Sequence, residues 1–97
     1  MKRTFPLQAP GKDDARVRDK IRHEINKYVR RERKKKLPEG FDEWTLTCKV
    51  GASETAAAEL PLKKVGAAID QVAAAGAADV YIEIVTIAGH RAFRRGL

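Results

Sequence analysis

Residues 79–87 read DVYIEIVTI, and they constrain the fold more than any other stretch. The run is apolar and β-branched on both sides of a period of two. Val80, Ile82 and Ile84 fall on one face, and Tyr81, Val85 and Ile87 fall on the other. A strand of this kind reads as the central strand of a sheet. The chain has 97 residues, enough for one modest core and too few for a second. The remaining sequence must therefore supply the flanking strands and the helices that cover them.

Those elements can be read in order. Residues 2–8, KRTFPLQ, place Phe5 and Leu7 on one face of a short strand. Pro6 cannot donate to a ladder, so this is an edge strand. After the turn Ala9-Pro10-Gly11, Asp13 or Asp14 offers an N-cap. Val17, Ile21, Ile25, Tyr28 and Val29 then follow at helical spacing, and the helix runs to about Lys36, ended by Pro38 and Gly40. Residues 43–50, EWTLTCKV, alternate cleanly, with Trp44, Leu46, Cys48 and Val50 facing inward. Residues 51–60, GASETAAAEL, read as a loop, with at most a helical turn. Pro61 suits the first position of a second helix. Leu62, Val65, Ile69 and Val72 form its inner face, and Gly76 stops it.

The expectation is a single α+β domain over residues 1–88. It is a two-layer sandwich of order β-α-β-α-β, with two helices on one face of a three-stranded sheet. Residues 89–97, GHRAFRRGL, have no periodic pattern and read as a flexible tail.

Charge is where the sequence turns toward function. The net charge is +7. Residues 12–36 carry 12 Lys and Arg against 5 acids, and the rest of the chain is balanced. On a helical wheel, the line opposite the apolar stripe holds Arg16, Lys20, His23, Lys27, Arg30 and Lys34, with Asp19 and Glu24 on its flanks. These six residues span roughly 27 Å at 1.5 Å per residue. Solvated helices gain from mixed-sign pairs four residues apart and lose from like-charge ones. A line of one sign therefore favours a purpose, and neutralised phosphates that release counterions are the obvious one. Arg31 and Arg33 extend the patch at the helix end, where cations also suit the dipole. Against this stands the plainer reading of a solubilising face.

Other chemistries find less support. His23, His90 and Cys48 lie on three different elements, with no paired ligand spacing, so no metal site is expected. Asp19 and His23, four apart, read as a surface pair, and no nucleophile is placed beside them. There is no P-loop, no dinucleotide-binding glycine pattern and no cofactor motif, so no enzyme is expected. A single cysteine allows no internal disulfide. No apolar run approaches a membrane span, and MKRTFPLQAPGK lacks a signal-peptide apolar region, so the expectation is a soluble, cytoplasmic protein. The narrow apolar stripe is needed for the core, which argues against membrane binding.

The chain also resembles an uncharacterised family of short bacterial proteins, a family of unknown function. The echoes are Thr4-Phe5-Pro6-Leu7, the basic helix running into Leu37-Pro38-Glu39-Gly40, Trp44, Cys48-Lys49, Val80-Tyr81-Ile82-Glu83-Ile84 and Gly89-His90-Arg91. The resemblance implies no activity, ligand or cofactor. It draws attention to His90 and Arg91 as a secondary basic contact, with Arg94 and Arg95 beside them.

The leading expectation is non-enzymatic binding of nucleic acid or the ribosome through Arg16, Lys20, Lys27, Arg30, Arg31, Arg33 and Lys34. RNA is preferred by a small margin. The alternative is a protein-interaction module or homodimer, formed through the edge strand at residues 2–8.

Overall fold

The computed structural model describes residues 1–89. Strand β1 (Lys2–Pro6) leads to helix α1 (Asp14–Arg33), strands β2 (Glu43–Gly51) and β3 (Ala58–Leu60), a 3-10 turn (Leu62–Lys64), helix α2 (Val65–Ala74) and strand β4 (Asp79–Gly89). The strands form one antiparallel sheet in the order β1-β4-β2-β3. This corrects the expected three-stranded sheet to four strands, and the expected order β-α-β-α-β to β-α-β-β-α-β. The added strand is β3. Its residues, Ala58, Glu59 and Leu60, include no β-branched or aromatic side chain, and three residues are too few for a period of two to show.

What makes β3 a strand is its neighbour. The chain leaves β2 at Gly51 and folds back, so that Ala58 lies opposite Val50 and Leu60 opposite Cys48. The return passes very close to Gly51. A Cβ there would lie 2.6 Å from Ala57 Cα and 2.7 Å from Ala57 N, both backbone atoms that cannot rotate away. Gly51→Ala is therefore expected to destabilise the domain by about 1–3 kcal/mol, as overpacking does. The check is a lower urea midpoint at unchanged m-value. An unchanged midpoint would show that the turn moves aside freely.

β4 is central, as its composition requires, with Phe5 of β1 opposite Val80 and Val50 of β2 opposite Ile82. Val80, Ile82 and Ile84 are fully buried and cluster with Ile21, Ile25 and Val29 of α1 and with Val65 and Ile69 of α2. Cys48 joins the same cluster as a small core residue, and burial pushes its thiol pKa up. The opposite face of β4 is covered unevenly. Tyr81 is buried, and its hydroxyl donates to Glu83 Oε1 (2.8 Å) and Glu54 Oε2 (3.4 Å). Burial, reinforced by these carboxylates, pushes the phenol pKa up to about 12. Val85 and Ile87, farther along, are exposed. β4 runs through Gly89, opposite Glu43, one residue into the expected tail. Residues 90–97 of that tail lie outside the described residues.

Helix α1 begins where Asp13 caps it, its carboxylate accepting from the Ala15 amide at 3.5 Å. It ends at Arg33, three residues short of the expected Lys36. The Lys34 and Lys35 amides donate to Arg31 and Glu32 carbonyls three residues back, and Pro38 disfavours helical backbone at Leu37. Trp44 Nε1 then donates to the Lys35 carbonyl at 2.9 Å, fixing the exit from the helix. Pro61, expected at the first position of a helix, instead caps the 3-10 turn that precedes α2. Gly76 ends α2 in the left-handed region, at φ 90°.

Candidate functional site

Helix α1 lies across the sheet with its cations sorted by direction. The core face is Ile21, Ile25 and Val29, with Val17 and Tyr28 half-buried beside them. On the flank toward α2, Arg18 and Arg22 turn to Asp70. Arg18 Nε lies 3.2 Å from Asp70 Oδ1, and Arg22 pairs with the same oxygen while reaching Asp19 Oδ1 at 3.2 Å and the Gly66 carbonyl at 3.3 Å. On the flank toward β1, Glu24 holds Arg3 at 2.9 Å. The expected Asp19–His23 pair is not made, because Asp19 takes Arg22 one turn along.

The outward line keeps none of these acids. Arg16, Lys20, His23, Lys27, Arg30 and Lys34 are all exposed. None of the five Lys and Arg among them forms an ion pair with a described carboxylate. Arg33 is likewise exposed and unpaired among the described residues, and Arg31 is exposed with its guanidinium 5.8 Å above the Tyr28 ring. All seven expected contact residues are therefore exposed to solvent. His90 and Arg91, the secondary candidates, lie outside the described residues.

Glu32 explains how an acid inside the run RRERKKK does not interrupt the outward line. It is four residues after Tyr28 and three after Val29, so it continues the apolar stripe and points inward, buried. Glu32 Oε2 accepts from Lys35 Nζ at 2.6 Å, and Oε1 accepts from Thr86 Oγ1 at 3.3 Å and from the Tyr28 hydroxyl at 3.4 Å. Tyr28 Oη in turn accepts from the Met1 ammonium at 3.0 Å. The Lys35 bond, against an opposing effect of burial, holds the carboxyl below its ordinary value of 4.5.

A carboxyl whose pKa is lower folded than unfolded stabilises the fold above its unfolded value. That contribution is lost as pH falls through the folded one. Glu32→Gln is thus expected to be less stable than the parent near about pH 7, with the gap closing below about pH 4.5. Urea midpoints measured across that range check it. A gap that stays constant with pH would show that the carboxylate's charge is not what matters.

Sequence reasoning missed two sets of cations. Lys63, in the 3-10 turn, lines a groove of about 270 Å³ between α1 and α2. This adjoins, through Asn26 and Leu62, a groove of about 430 Å³ walled by Arg30, Arg33 and Lys34. At the other end of the line, Arg3 and Lys12 join Arg16 and Lys20 around a cavity of about 390 Å³ between β1 and α1. No helical spacing could have found either set, because Arg3, Lys12 and Lys63 come from outside α1. Among the described residues, no group of three His, Cys, Asp or Glu could hold a metal, and no helix is long and apolar enough to cross a membrane.

A family model described as a family of unknown function (DUF6172) matches residues 1–95. No curated protein and no solved structure gives a significant match to the chain.

Proposed function

The chain belongs to this family of unknown function, and we propose that it is a non-enzymatic, cytoplasmic RNA-binding or ribosome-associated protein that grips phosphates along the outward face of α1. The observation that carries the reading is the sorting of charge. Beyond the first turn, where Asp13 and Asp14 lie, the acids on and beside the helix (Asp19, Glu24, Glu32 and Asp70) are engaged by Arg3, Arg18, Arg22 and Lys35, all off the outward line or at its end. The outward cations are left without a described carboxylate. A face that served solubility alone would gain from mixing the signs.

The contacts are to phosphates, so the binding positions a strand rather than reads its bases. RNA is favoured over duplex DNA because α1 is flanked by grooves rather than projecting as a free helix, which suits a flexible strand better than a major groove. The alternative is a protein-interaction module or homodimer formed through the β1 edge. That edge carries Lys2, Arg3 and Pro6, the residue types that discourage strand addition.

The test is fluorescence anisotropy with a labelled single-stranded RNA and an RNA duplex at two salt concentrations. A variant with Arg16, Lys20, Lys27 and Arg30 changed to Gln runs beside the parent. Salt-steep binding that the variant loses supports the reading. Equal, weak binding by both proteins refutes it.

A further inference from the structure

The cavity between β1 and α1 differs from the two grooves on the other flank in its chemistry. Four cations stand around it: Arg3, Lys12, Arg16 and Lys20. Its floor is apolar, formed by Phe5, Ala9, Val17 and Ile21. The one acid on the wall, Glu24, is already engaged by Arg3 at 2.9 Å. The Arg3 guanidinium is held a second way, 4.5 Å above the Phe5 ring, so a flat cationic surface is fixed at the cavity wall. At about 390 Å³ the cavity lies within the range of small-molecule sites, roughly 300–1,000 Å³. Arg16 and Lys20 belong both to its rim and to the outward line of α1.

A ligand that fits must carry an anion for the rim and a flat apolar body for the floor. We propose that this cavity receives one unstacked nucleotide of a bound single strand, its base against the Phe5–Val17–Ile21 floor and the Arg3 guanidinium, its phosphate between Lys12, Arg16 and Lys20. The inference rests on the phosphate-binding reading of α1, because the strand reaches the cavity along the line that Arg16 and Lys20 begin. It adds a stacking contact that the line itself lacks, and it excludes a fully paired duplex from this end of the surface.

The experiment uses the full chain, ¹⁵N-labelled, titrated with adenosine 5′-monophosphate and separately with inorganic phosphate. The nucleotide is expected to move the amide signals of Phe5, Lys12, Arg16 and Val17. It is expected to bind about tenfold more tightly than phosphate, the size of one base-stacking contact. Ala9→Phe fills the cavity from a half-exposed position while keeping every cation. It should abolish that tenfold advantage and leave the salt-dependent binding of a longer RNA in place. Should Ala9→Phe not fold, the comparison of nucleotide with phosphate on the unaltered protein still decides the matter.

Equal affinity for the two probes would make the site a plain anion contact and overturn the proposal, as would an absence of shifts at the cavity. If the longer RNA still binds in a salt-dependent way in either case, only the cavity assignment falls. Nucleotide binding in the cavity without salt-steep RNA binding would overturn the strand reading, and with it the cavity's role in holding a strand.

Discussion

Changing Arg16, Lys20, Lys27 and Arg30 together to Gln is expected to lower the affinity for single-stranded RNA by at least about a hundredfold at about 50 mM salt. The magnitude follows from counterion release. Each phosphate contact to a single strand contributes about −0.7 to the slope of log K against log salt, so seven contacts give a slope near about −5. The parent should then lose about a thousandfold between about 50 and 200 mM salt, while the variant, left with about three contacts at Arg31, Arg33 and Lys34, should lose only about twentyfold. The fold should survive. The six positions of the line are exposed, and Arg16–Lys20, Lys27–Arg30 and Arg30–Lys34 are like-charge pairs three or four residues apart, so removing like charges relieves the helix by a few tenths of a kcal/mol. A variant that keeps both its affinity and its salt slope would show that the line is only a wet surface. A variant that loses affinity together with its urea midpoint would show that these residues hold the fold instead.

Ile82→Ala is expected to reduce stability by about 2–5 kcal/mol, a large part of the roughly 5–15 kcal/mol that a small domain has to lose. Ile82 is fully buried in the centre of β4, opposite Val50 of β2 and under both helices. Its removal leaves a cavity that rigid neighbours on three sides cannot fill. Ile87 makes the control. It lies on the same strand and is equally apolar, but its side is 50% exposed on the face away from the helices. Ile87→Ala should therefore cost less than about 1 kcal/mol, since little apolar surface leaves a buried environment. Denaturant midpoints at matched m-values check both. Near-equal losses would mean that both faces of β4 are covered, contrary to the exposure of Val85 and Ile87.

Much of this architecture was legible because it is periodic. The stripe Val17, Ile21, Ile25, Val29 placed α1 and its buried face, and Leu46, Cys48 and Val50 placed β2 with the correct side inward, whereas Trp44 stands half-buried outside the core cluster and bonds the Lys35 carbonyl. Gly76 and the Pro38 region marked helix ends for local steric reasons. What failed was short or non-periodic. Ala58–Leu60 has no strand signature, and it pairs because Gly51 lets the backbone return within van der Waals contact. Leu62–Lys64 carries the first inward position of the expected helix, yet forms a tighter 3-10 turn behind Pro61.

The candidate site divides along the same line. The sequence by itself determined that α1 would carry a row of basic residues opposite its core face, because helical geometry orders residues on one element without reference to any other. Only the tertiary structure decided which cations would remain available. Arg18, Arg22 and Arg3 are neutralised because α2 brings Asp70, and β1 faces Glu24, at distances that no local spacing encodes. Only the tertiary structure, likewise, set Lys12 and Arg3 around an apolar floor and put Lys63 in the groove that adjoins the one walled by Arg30 and Arg33. Charge along one helix is a property of the chain. Charge paired, or gathered around a cavity, is a property of the packing, because Coulomb interactions depend on separation in space and on the water left between the groups.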